Sequence, residues 1–221
     1  KSSWDATKVL FGGDKRYTID GASFKSALLG GGDYTAVLEA AKAFKPDLFI
    51  WAGYDADALP LLEQSKAMKF SPGIYLGAPP GWPIDFGASK LSPNVMLYGM
   101  WSTAMNNNNP SSAKFFKNYV AKYKEEPATY FAPLAYSAVY ILADGIKAAG
   151  TTETTALVKA LEATKYASPL GETITFKPSN IIKHQGITRQ KILQWQNGEQ
   201  QVIWPFEAAT AAPVYPFPAW K

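Results

Sequence analysis

The chain carries one histidine, His184, in the polar run IIKHQG. Acyl transfer by a serine, histidine and acid would need His184 as its base and a serine presented on a sharp turn. No GxSxG run offers that serine, so His184 reads as a solvated residue at a strand end. Asp55 and Asp57 stand two apart in AGYDAD and offer oxygens to a hard cation, but further ligands at calcium-loop spacing do not follow them. Without cysteine or a second histidine, zinc and thiol chemistry lack their usual ligands. Gly30 to Gly32 precede a helical stretch but lack the lysine and the spacing of a phosphate loop or of GxGxxG. Glu125 and Glu126 sit together at a helix end, where a solvated pair is the ordinary reading. No catalytic constellation emerges, and neither a metal nor a cofactor is expected.

Composition narrows the partners. The net charge of +4 comes from lysines scattered among carboxylates, with Arg16 and Arg189 the only arginines, so no phosphate-reading patch forms and nucleic acid is not an expected partner. No apolar run approaches the ~20 residues that cross a bilayer, and no charged-then-apolar leader opens the sequence. The absence of cysteine leaves the compartment open, because a chain of 221 residues buries enough core without disulfides. Seven tryptophans and twelve tyrosines supply flat amphipathic surfaces, which serve core packing more often than a binding cleft.

The elements that must position these residues alternate. KVLFGG (Lys8 to Gly13) reads as a buried strand and SFKSALLG (Ser23 to Gly30) as a short helix; DYTAVLEAAKAF has a capping Asp33 and a helical apolar period. Pro46 halts that helix, and Leu48 to Trp51 form the apolar run of a parallel strand buried on both faces. ADALPLLEQSKAM then reads as a helix and GIYLGA as a strand. Such βαβα order predicts an α/β fold with a parallel sheet flanked by helices, whose ligands sit outside the carboxyl ends of the strands. The loops AGYDAD and APPGWPIDFG occupy that place.

Further on, NVMLYGMW reads as a strand or crossover, Asn106 to Pro110 as a polar joining loop, and FFKNYVAKYKEEP as a helix. In TYFAPLAYSAVYILADGIKAAG, Leu134, Ala138, Ile141, Leu142 and Ile146 line one helical face, and Gly150 ends the helix. Thr151 or Thr152 can cap the helix that follows. Asn197-Gly198 predicts a tight hairpin, and the proline-rich, aromatic ending reads as an extended strap.

DYTAVLEAAKAFKPDLFIWAGY, the run from Phe115 to Gly150 and the ending QWQNGEQQVIWPFEAATAAPVYPFPAW together resemble the later part of the periplasmic substrate-binding proteins of ABC importers, in the branched-chain amino acid and amide class. The resemblance implies a type I periplasmic binding fold without enzymatic activity. It places the opening residues at the first strand of the second lobe, with most of the first lobe lacking. Residues 1–97 would form the βαβα part of the second lobe, 98–168 the crossover and helices that pack on the first lobe, and 169–221 the return to the second lobe. A proteolytic fragment or an incompletely determined sequence would account for this; otherwise the apolar helix faces call for a dimer partner. Between Leu28 and Thr35 the family would place a further strand, where this chain has LLGGGDYT.

Family ligands lie between the lobes, contacted by loops at strand ends. By position, Tyr54 corresponds to a cleft tyrosine, with a surface-packing role the equal alternative, and Tyr17 corresponds more loosely to another. Phe131, near a helix start, matches an aromatic that borders the ligand, and Trp101 stands either at the cleft or at the hinge. Amino-acid-binding members place a carboxylate near the start of the loop that holds Pro80 here. Either Asp85 or Asp55 supplies that charge, or the ligand lacks an ammonium group and stacks on Trp82. The resemblance thus implies capture of an amino acid, amide or aromatic acid and its delivery to a membrane permease, in the periplasm or on a membrane anchor outside the cell. A ligand-sensing regulatory domain of the same fold is the alternative, and an α/β hydrolase a more distant one.

Overall fold

A computed structural model describes residues 2–78, 82–179, 182–186 and 190–220. Along the chain come α1 (Ser2–Phe11), α2 (Thr35–Phe44), β1 (Leu48–Ala52), α3 (Asp55–Ala67), β2 (Ile74–Ala78) and β3 (Met96–Gly99). Then follow α4 (Pro110–Tyr123), α5 (Phe131–Ala149), α6 (Thr154–Glu162), β4 (Tyr166–Ala167), β5 (Thr173–Ile174), β6 (Lys191–Gln196) and β7 (Glu199–Trp204). The main sheet has the order β1-β2-β3-β6-β7, with β4 and β5 paired apart from it.

The first three strands of the main sheet are parallel, and the connections between them are long enough for the crossovers that parallel pairing requires. β6 returns antiparallel beside β3, and β7 folds back on β6 through Asn197-Gly198, whose φ values of 54° and 83° suit the right-handed twist of a two-residue hairpin. Sheet, flanking helices and hairpin therefore follow the pattern expected from the sequence.

Several local expectations are corrected. Lys8 to Phe11 belong to a helix rather than a buried strand: among the described residues the segment finds no strand to pair with, Lys8 meets Asp5 at 2.9 Å one turn earlier, and Val9 and Leu10 are exposed. Within Ser23 to Gly30 only Ala27–Leu29 turn, as a 3-10 segment between Ser26 and a left-handed Gly30. β1 is buried on one face only, because its other face is left uncovered: Phe49 and Trp51 face the core while Leu48 and Ile50 stand exposed. The second of the paired helices is capped by Glu153, whose carboxylate accepts from the amides of Thr155 and Ala156 at 2.9 and 2.8 Å, and not by Thr151 or Thr152. α4 also starts earlier than expected, at Pro110, because the Asn109 side chain accepts from the amides of Ser111 and Ser112.

The core on the inner face of β1 and β2 is aromatic. Trp51 and Trp82 lie 5.0 Å apart between ring centres, Trp82 and Phe86 5.2 Å, and Phe86 and Trp195 5.3 Å. Tyr75 is fully buried beside Phe70, Phe217 and Trp220, and its hydroxyl bonds the Ser65 hydroxyl on α3. Each well-oriented ring pair contributes roughly 0.5–1.5 kcal/mol beyond the area it buries. The ending is the strap expected. Buried Gln194 donates to the Val214 carbonyl and accepts from its amide, both at 2.8 Å, and the Phe217 amide donates to the Gly73 carbonyl at 2.7 Å.

Candidate functional site

The carboxyl ends of β1 and β2 are joined by the Gly53 amide, which donates to the Ala78 carbonyl at 2.6 Å. Immediately beyond, Tyr54 precedes α3 with 56% of its surface exposed, and exposed Asp55 opens the helix. Asp57, in the first turn, is fully buried and accepts four hydrogen bonds. Its Oδ1 takes the Tyr34 hydroxyl at 2.6 Å and the Ala27 amide at 2.7 Å, and its Oδ2 takes the Ser26 hydroxyl at 2.8 Å and the Tyr54 amide at 2.9 Å. Burial alone would raise its pKa, but the hydroxyl and amide donors, led by Tyr34, outweigh burial and hold it below the usual carboxylate value. Burial and the adjoining carboxylate push the Tyr34 hydroxyl up to about 12, so it stays a donor.

Asp55 and Asp57 therefore do not act as a pair: one faces solvent, and the other is consumed by protein donors. Among the described residues, no three acidic or histidine side chains cluster as a metal would require. His184 lies half-exposed with its Nε2 2.8 Å from a Glu162 carboxylate oxygen.

The expected site residues fall in different surroundings. Trp82 and Trp101 are each only 2% exposed. Trp82 belongs to the aromatic core, whereas Trp101 packs edge-on against Phe115 and donates from Nε1 to the Ser112 hydroxyl at 2.7 Å, fastening β3's exit to α4. Tyr54, Asp55, Asp85 and Phe131 are exposed, Phe131 by 53% with its ring centre 4.5 Å from that of Tyr130. The Ile84 amide donates to the Ala128 carbonyl at 3.0 Å, which brings the turn holding Asp85 beside the chain leading into α5 and Phe131. Tyr17 keeps to its own segment, edge-on to Phe11 at 5.3 Å with the Arg16 guanidinium 5.5 Å from its ring. Pro80 lies outside the described residues. A cavity of about 390 Å3, lined by Met105, Asn109, Ser111, Ser168, Glu172 and Glu207 among others, contains none of these candidates.

The structural role of Asp57 is hidden in the sequence by its spacing of two from Asp55, which suggests a cation pair. Its signal was present: an acidic residue in the first turn of a helix that follows a strand directly accepts backbone amides.

A parallel-dominated sheet flanked by helices defines the class as α/β. The periplasmic binding protein family matches residues 20–200, and the chain belongs to it. This is a family of substrate-binding proteins rather than enzymes. Solved structures with the same fold include a leucine-binding protein from Thermotoga maritima, at 20% identity and a TM-score of 0.65 over 79% of this chain and 48% of that one. A branched-chain amino acid transporter substrate-binding protein from Streptococcus pneumoniae, in complex with isoleucine, matches at 22% identity and a TM-score of 0.62 over 85% and 50%. An ABC transporter solute-binding protein from R. palustris, in complex with benzoate, matches at 21% and 0.61 over 82% and 48%. The chain thus spans about half the length of these relatives, and the fold is of the type I periplasmic class.

Proposed function

We propose that the protein is the solute-binding component of an ABC importer, capturing a small amino acid, amide or aromatic acid at the carboxyl ends of β1 and β2. The observation that carries this reading is Tyr54, an exposed ring just past a parallel strand, at the place where open α/β sheets take their ligands. Phe131 and Asp85 border the same solute, the ring by stacking and the carboxylate by pairing with an ammonium group when the solute has one. The solutes named for the similar structures, isoleucine and benzoate, span both cases.

In this reading the protein works in two lobes, outside the cytoplasmic membrane, and hands its solute to a membrane permease. Residues 1–97 and 169–221 belong to one lobe. Residues 98–168 cross over, and the exposed Val139, Tyr140 and Leu142 of α5 rest against the other lobe. Solute contacts to both lobes favour the closed state.

Isothermal titration with L-leucine, L-isoleucine and benzoate tests the reading. Binding of at least one, weakened about 5- to 30-fold by Tyr54→Ala, is the expected result for an aromatic contact of about 1–2 kcal/mol. Binding that Tyr54→Ala and Phe131→Ala both leave unchanged would place the solute elsewhere.

A further inference from the structure

We propose that Asp57 is a positioning residue: with Gln64 it makes one face of α3 a latch that holds residues 26–34 against the β1–α3 turn, so that this segment and Tyr54 form one rigid rim. The part played by that rim rests on the reading of Tyr54 as a border of the solute site.

Asp57 and Gln64 are seven residues apart, which sets them two turns apart on the same side of a helix. Asp57 holds both ends of the segment, taking the Ser26 hydroxyl and the Ala27 amide at one and the Tyr34 hydroxyl at the other. Gln64 secures the second end: its Oε1 accepts from the Tyr34 amide, and its Nε2 donates to the Gly32 carbonyl, both at 2.7 Å. Between these anchors the chain must coil tightly. Gly31 packs so closely on the Lys25 carbonyl that a side chain there would collide with backbone, and Gly30 and Gly32 have φ of 75° and 114°. The glycine run thus shapes the latched segment, whereas no phosphate-binding role is apparent for it. The same carboxylate also fixes the Tyr54 amide at 2.9 Å, so one buried charge ties the loop to the residue presented at the strand end.

Asparagine cannot replace this carboxylate. Each oxygen of Asp57 accepts one backbone N–H, from Ala27 on Oδ1 and from Tyr54 on Oδ2. An amide NH2 in either orientation therefore faces a backbone donor that cannot turn away. Tyr34→Phe is milder, since it removes one donor and leaves the carboxylate in place.

Amide hydrogen exchange of the full chain, read residue by residue by NMR without solute, tests the latch. In Asp57→Asn, exchange at Ala27 and Tyr54 is expected to accelerate about tenfold or more, while the β6–β7 hairpin stays within about twofold of wild type. Tyr34→Phe is expected to accelerate Ala27 and to leave the hairpin unchanged. Equal acceleration in the hairpin, or no acceleration at Ala27 in either variant, overturns the latch. If Asp57→Asn does not fold, Tyr34→Phe decides by the same criterion. Because no solute enters the measurement, failure of the latch is distinct from failure of the solute reading, which the titrations judge separately.

Discussion

Trp82 occupies the space that a side chain on Gly77 would need: a Cβ built there would run into the indole ring. A glycine one residue before the end of β2 thus admits a tryptophan from the following loop, and that ring joins Trp51 to Phe86.

Trp82→Ala is therefore expected to act on stability. Removing a buried tryptophan ring costs about 3–5 kcal/mol, and Gly77→Ala about 1–3 kcal/mol through overpacking. Urea denaturation measures both. A Trp82→Ala protein with an unchanged midpoint and a weakened solute affinity would return the ring to the binding site.

The strap depends on Gln194. Gln194→Ala removes both hydrogen bonds that this buried side chain makes to the Val214 backbone, at about 0.5–1.5 kcal/mol for each bond lost. Limited proteolysis is expected to cut the variant between residues 205 and 215 before the wild type is cut, and equal cutting rates would contradict this.

Asp57 should make the fold acid-sensitive in a particular direction. Its folded pKa is depressed, so the charged form is favoured by folding, and its contribution is complete above the unfolded aspartate value of about 3.9. That contribution is lost as pH falls through the folded value. Tyr34, the titratable side chain bonded to it, remains neutral throughout this range. Denaturation midpoints between pH 6 and roughly pH 2 should decline in wild type more than in Asp57→Asn; parallel profiles would refute the assignment.

Asn109 caps α4 through two backbone amides. Asn109→Ala is expected to cost about 1 kcal/mol, measured as a lowered denaturation midpoint, with Asn109→Ser recovering most of it.

Much of the fold was legible because it rests on short-range signals. β2 and the hairpin announce themselves by apolar runs and by Asn-Gly, and α5 by its apolar face and Gly150. What spacing left open has a shared physical cause. Val9-Leu10-Phe11 suit a strand only if a neighbouring strand exists to take their backbone bonds, and no local pattern reveals that neighbour. Trp82 and Trp101 follow strands, where rings line clefts or close cores with equal ease; Gly77 and Ser112, against which the two rings pack, lie 5 and 11 residues away. The anchoring roles of Asp57 and Gln64 depend on a loop that begins about thirty residues before them, beyond the reach of spacing arguments.

The packing around Tyr75 bears on the order of assembly. Its hydroxyl accepts from the Trp220 indole at 3.3 Å across a sequence separation of 145 residues, and Phe217 packs on its ring. The inner face of β2 is therefore finished by residues that leave the ribosome long after the strand itself. Until they dock, the Tyr75 ring lacks part of its apolar cover, so the inner face of this strand closes only through contacts made from far along the chain.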